Sequence, residues 1–336
     1  MGQAEATAPP FGVAAVPLLL SGTGPAAPPF GVAGARFSHF GKPRHPVVSH
    51  QDGEKRAWSV RDWLLCVTVL SMVCGIAGIS SGAFERQPES VRACGMGGAG
   101  SAIAGNVWGA LMNPAALAGM PVRIIAVSTA PSPFGLQELR RTACAYAEPF
   151  GRLTASVSAL RYGYELYREV TLGAACGYDC GEGVRVGGTV TLNSVSIPGY
   201  GQGSCAGLDA GVLWQIVPGL QFGASALNWN APSPGKSRES IPRTFQAGLA
   251  YAPPGGFLVA CDIAEDPRFS AELRLGAELS VADLLFLRAG VSTDPSSCSA
   301  GVGVRILPLD IEYAFSRHQE LGFTHRFGLS LRLGGP

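Results

Sequence analysis

The 336-residue chain carries 25 Lys and Arg against 24 Asp and Glu, a net charge of +1, which gives no electrostatic reason to bind nucleic acid. Only 15% of its residues are charged, against roughly 25% in an ordinary globular protein, and its 46 glycines are about twice the usual share. Mean hydropathy is +0.22, yet residues 122–336 hold no apolar run near the roughly 20 residues that a spanning helix needs, so both an ordinary soluble domain and a helical membrane protein are disfavoured.

Residues 1–59 are rich in Pro, Gly and Ala and repeat Ala-Pro-Pro-Phe-Gly-Val-Ala at 8–14 and 27–33. Two copies with no face to bury do not make a repeat domain. This stretch is expected to be a mis-assigned or disordered upstream extension, with translation starting near Val60. Residues 60–83 read as a secretory signal peptide. Lys55, Arg56 and Arg61 flank or precede an apolar run from Leu64 to Ile79, and Ser81-Gly82-Ala83 supplies small residues for cleavage after Ala83.

Residues 84–121 lie ahead of the first predicted strand. Gly95-Met-Gly97-Gly98-Ala-Gly100 matches the dinucleotide fingerprint, but no strand reads before it. No Asp or Glu occurs between Glu89 and Glu138 to take a ribose, so nucleotide binding is set aside in favour of close backbone packing. The run from Ser101 to Ala118 then reads as a short helix of small residues, a break at Asn113-Pro114, and another turn of helix. Trp108 and Leu111 are its large apolar side chains.

From residue 122 onward apolar and polar residues alternate. Phe269, Leu273, Leu275 and Leu279 face away from Glu272, Arg274 and Glu278; Val184, Val186, Val190 and Leu192 face away from Arg185, Thr189, Thr191 and Asn193. A soluble sandwich would alternate in the same way. Turn placement separates the two readings. About fourteen strands are predicted, among them 165–177, 182–194, 204–217 and 269–280, and the long connections all follow odd-numbered strands. Tight turns such as Pro149-Phe150-Gly151 and Leu307-Pro308 hold the other parity, as short periplasmic turns do in outer-membrane barrels. The expected fold is all-β: a closed antiparallel transmembrane barrel of about fourteen strands over residues 122–334, with a small N-terminal hatch of short helices at 84–121.

In such a barrel the polar face lines the lumen, which would place Arg152, Arg185, Glu272, Arg274, Glu278, Arg288, Arg305, Asp310, Glu312 and Arg326 there. With both signs present, their first expected role is to pair with one another and with the hatch. Cys66 and Cys74 fall within the signal, leaving seven cysteines that read as small strand residues; Cys176 and Cys180 flank Gly-Tyr-Asp, which reads as a tight turn. No CxxC pair is present, and His318 and His325 stand alone, so no metal, cofactor or catalytic arrangement is expected and the chain does not read as an enzyme.

The run from Gly95 to Leu117 resembles the N-terminal hatch of the FadL-type outer-membrane transporter superfamily, and most of all its PorV/PorQ-like branch. The resemblance implies a fourteen-stranded barrel plugged by a hatch whose Asn-Pro-Ala turn is matched here by Asn113, Pro114 and Ala115. The ending from Glu320 to Leu333 is similar to that branch's closing strand, although the chain finishes Gly-Gly-Pro336 where a terminal aromatic is usual. The resemblance further implies the outer membrane of a Gram-negative-type bacterium, with lipid as surroundings. Small hydrophobic compounds would pass through the barrel, gated by the hatch beside Trp108 or Leu111. The alternative it implies is a PorV-like component of type IX secretion or surface attachment, with secreted cargo proteins as partners.

Overall fold

The computed structural model describes residues 83–235, 240–267 and 270–334; the expected extension and the signal peptide up to residue 82 lie outside them, as does Phe269. Fourteen strands form the fold: β1 Arg123–Ala130, β2 Arg141–Phe150, β3 Leu153–Gly163, β4 Arg168–Gly181, β5 Val184–Ile197, β6 Gly201–Val217, β7 Leu220–Leu227, β8 Thr244–Tyr251, β9 Phe257–Glu265, β10 Glu272–Val281, β11 Leu285–Thr293, β12 Ser296–Ile306, β13 Leu309–His318 and β14 Gly322–Leu333. Each pairs antiparallel with its neighbour in sequence, and β1 closes on β14 with Val127 opposite Leu329. The closed barrel expected from the alternation is what forms.

Alternation decides which side of the wall each residue occupies. On β5, Val190 and Leu192 are 55% and 51% exposed on the outside, while Thr189, Thr191 and Asn193 are 3%, 0% and 2% exposed on the inside. A closed ladder leaves no strand edge, so such an exterior is satisfied by hydrocarbon. Aromatic side chains mark its borders: Phe150, Tyr178, Tyr251 and Phe257 near one rim, Tyr164 and Phe323 near the other, all exposed. Val190→Arg, at the middle of β5, is therefore expected to destabilise the barrel in a bilayer by about 2–4 kcal/mol. Urea titration in lipid vesicles reads the change; a loss no larger than for Val190→Thr would contradict a lipid-facing wall.

The connections also separate by parity. Those after even-numbered strands are short, at 151–152, 182–183, 218–219, 252–256, 282–284 and 307–308; the opposite rim carries 131–140 and 228–243. Both ends of the barrel wall, Arg123 and Leu333, lie at the short-turn rim.

Three expectations are corrected. The tight turn placed between Cys176 and Cys180 is strand: β4 continues to Gly181, with Tyr178 opposite Val186, and the cysteines of the described residues are free. The turn lies at Glu182-Gly183, where φ values of 52° and 78° give the doubly left-handed hairpin that fits strand twist. The connection expected between strands 182–194 and 204–217 shrinks to 198–200, because β5 and β6 pair out to Ile197 and Gly201. Arg152, expected on the lumen wall, is exposed in the β2–β3 turn; Thr154, Ser156 and Ser158 are the inward residues of β3.

Candidate functional site: a plug held by backbone contacts and ion pairs

Residues 84–122 fold inside the barrel. They contain one short helix, α1 (Val91–Gly95), and two 3-10 turns, Val107–Leu111 and Pro114–Leu117. Each begins on a polar side chain that accepts from the first turn: Ser90 Oγ from Ala93 N, Asn106 Oδ1 from Trp108 N at 3.0 Å, and Asn113 Oδ1 from Ala115 N at 3.1 Å. Pro114 follows its cap at the position where a missing N–H costs nothing. The expected break at Asn113-Pro114 is thus a cap between two turns. The stretch before Gly95 is helix rather than the strand a dinucleotide loop requires.

Asn113 also ties this segment together. Fully buried, its Nδ2 donates to Ser101 O at 2.7 Å and to Val212 O of β6 at 3.3 Å. The segment meets the wall in two ways. Towards β4, β5, β7, β10 and β11 it presents backbone to glycine: a Cβ added at Gly177 would fall 2.7 Å from Ala118 N, and one at Gly187, Gly223, Gly276 or Gly290 would fall closer still to plug backbone, while at Gly211 of β6 it would meet the Asn113 side chain. Towards β1 and β2 it presents side chains to alanine. Trp108 and Leu111, each 3% exposed, pack in one cluster with Ala126, Ala143, Ala145 and Ala147.

Polar groups fill the remainder. Glu89 of the plug, 1% exposed, takes Arg141 of β2 on one oxygen and Arg326 of β14, at 3.1 Å, on the other. Arg92 of α1 reaches Glu278 at 2.6 Å; Glu278 also holds Arg288 at 2.7 Å, and Arg288 meets Glu312 at 2.7 Å. Asp262 accepts from Gly100 N and Ser101 N at 2.7 and 2.8 Å, while Thr189 and Ser225 donate to Ala110 O and Met112 O at 3.1 Å. Cys94 donates its thiol to Pro88 O at 3.2 Å, and burial pushes its pKa up.

Of the ten side chains expected to line the lumen, Glu278 and Arg326 pair with the plug. Arg288, Arg274, Glu272, Glu312, Arg305, Asp310 and Arg185 pair within the wall, in contacts that include Arg305 with Asp310 at 2.9 Å and Arg332 with Asp310 at 2.8 Å. Sequence reasoning missed Glu89, Arg92, Arg141 and Asp262. Glu89 and Arg92 precede every strand and so carry no alternation signal, whereas Asp262 sits between Cys261 and Ile263 on β9 at the parity of the inward residues.

Two cavities flank the plug. One, of about 240 Å³, opens at the short-turn side and is lined by Trp108, Val107 and Phe286 together with Arg92 and Arg305. The other, of about 340 Å³, opens at the long-loop side against Phe134, Leu139, Phe315 and Ser297, with Arg274 and Arg326 at its base. Ser90 and Arg92 line the first and Cys94 the second, so α1 and its cap stand between the two at that point. Leu111, Asn113, Pro114 and Ala115 line neither.

No family model and no curated protein matches the chain. Among solved structures the same fold appears in the CymD monoaromatic hydrocarbon channel (TM-score 0.57, 15% identity, 75% of this chain and 100% of that one). It appears also in the Pseudomonas putida toluene transporter TodX (TM-score 0.55, 13% identity, 74% and 98% covered). A Pseudomonas aeruginosa FadL homologue is similar too (TM-score 0.52, 12% identity, 72% and 97% covered). At these identities the likeness is one of fold.

Proposed function

We propose that this chain, exported by a signal at residues 60–83, forms an outer-membrane barrel through which small hydrophobic compounds pass, with residues 84–121 as the hatch that gates them. The observation that carries the reading is the pair of cavities meeting across α1. Both have apolar side chains beside charged ones, so a compound reaching the outer cavity would leave water before it meets the partition. Structural neighbours described as a toluene transporter and a monoaromatic hydrocarbon channel point to the same class of cargo. Passage then requires the plug to move, with α1 standing between the two cavities.

The test is uptake of radiolabelled toluene by cells that lack channels of this kind. The wild-type protein should raise uptake well above the empty-vector rate, and Ser297→Trp, which places an indole in the outer cavity, should lower it severalfold while the barrel still migrates as folded on unheated gels. Uptake equal to the vector control, with secreted proteins co-purifying instead, would favour the PorV-like reading.

A further inference from the structure

Phe84, the first residue of the plug, sits in surroundings unusual for the middle of a chain. Its side chain is 5% exposed, in a niche with Leu160 and Tyr162 of β3 and Thr171 of β4. Its φ is +58°, a region that a bulky L-residue rarely adopts. Its N–H donates to Glu169 Oε1 at 3.0 Å, and the same oxygen accepts from Tyr167 Oη at 2.6 Å.

Glu169 is 5% exposed, and no ion pair to it is found among the described residues. A buried carboxylate that meets only neutral donors is costly. The other buried glutamates are treated differently: Glu89 and Glu278 each hold two arginines, and Arg141, which lines the Phe84 niche, is already taken by Glu89. Asp262 also lacks an arginine but takes two backbone N–H groups of the plug on one oxygen.

We infer that the counter-ion of Glu169 is the α-ammonium of Phe84 itself, generated when hydrolysis of the Ala83–Phe84 peptide bond removes the export signal. Water adds across the amide under the action of an export-linked endopeptidase, the C–N bond breaks, Ala83 departs as a carboxylate, and the Phe84 nitrogen takes up a proton. A first residue has no preceding carbonyl and hence no φ to strain, so one cut accounts for the left-handed backbone and for the lone carboxylate. An α-amine, whose ordinary pKa is about 7.7–8.0, is mostly charged at neutral pH and is more fully so beside a buried carboxylate. The plug's outer end is then anchored by a group that exists only after processing. This inference rests on the reading of residues 60–83 as an exported signal.

The test is intact mass of protein purified from outer membranes, followed by acetylation with a water-soluble succinimidyl ester. Residues 84–336 hold a single lysine, Lys236, so the reagent has two amine targets. The mass should begin at Phe84, and its amine should acetylate about tenfold or more slowly in the folded protein than in the denatured one. Glu169→Gln should remove most of that protection. A mature chain beginning elsewhere overturns both the processing and the pair. A chain beginning at Phe84 whose amine reacts equally fast in wild type and Glu169→Gln overturns the pair alone. Should Glu169→Gln fail to assemble, the pH dependence of acetylation in the wild type decides: an apparent pKa above the ordinary α-amine range supports the pair, and one within it refutes the pair.

Discussion

Removal of residues 95–118, with Cys94 joined to Gly119 by a short glycine linker, is expected to convert a closed barrel into an open pore. The deleted stretch supplies both 3-10 turns, Trp108, and every plug atom that meets Gly187, Gly211, Gly223, Gly276 and Gly290. Fourteen strands enclose an interior too wide for wall side chains alone to fill, which eight strands just achieve. In planar bilayers the deletion should raise single-channel conductance by about an order of magnitude or more over the wild type. Cells expressing it should become sensitive to bulky hydrophilic antibiotics. Unchanged conductance from a variant that still shows heat-modifiable mobility would mean that the wall closes the lumen without the plug.

Loss of the Glu89 carboxylate is expected to have the largest effect of any single substitution. Arg141 and Arg326 are each 6% exposed, and Glu89→Ala leaves both cations buried together without their shared partner. Breaking a buried pair from one side costs about 3–5 kcal/mol, chiefly through the charge left behind. Equilibrium unfolding in lipid vesicles should show a loss of that size. The double variant Glu89→Ala/Arg326→Met should recover part of it, because one stranded cation has been removed. A change below about 1 kcal/mol for Glu89→Ala would show that water reaches these arginines freely.

Most of the wall was legible because a strand in a barrel has two different solvents on its two sides, and residues such as Val190 and Thr191 record which is which. The plug was legible only as far as capping chemistry and resemblance reach: Asn113 and Pro114 announce a helical turn, and nothing in them announces Val212 as a partner. Arg152 was misplaced because alternation persists by chance into a turn, where no ladder enforces it. Cys176 and Cys180 were misread because Gly-Tyr-Asp has turn composition, while cross-strand pairing of Tyr178 with Val186 keeps it extended. The wall glycines did carry a signal. Gly177, Gly187, Gly211, Gly223, Gly276 and Gly290 all share the inward parity of their strands, which marks where another segment of chain must lie close.

That glycine lining makes the interior mechanically lopsided. Side chains yield by changing rotamer, but two backbones in direct contact have no such soft coordinate, so the plug is stiff where it meets β5, β7, β10 and β11. Compliance is concentrated on the opposite arc, where Trp108 and Leu111 rest on alanines. A displaced plug would therefore swing about the glycine side as about a hinge rather than slide along the barrel axis.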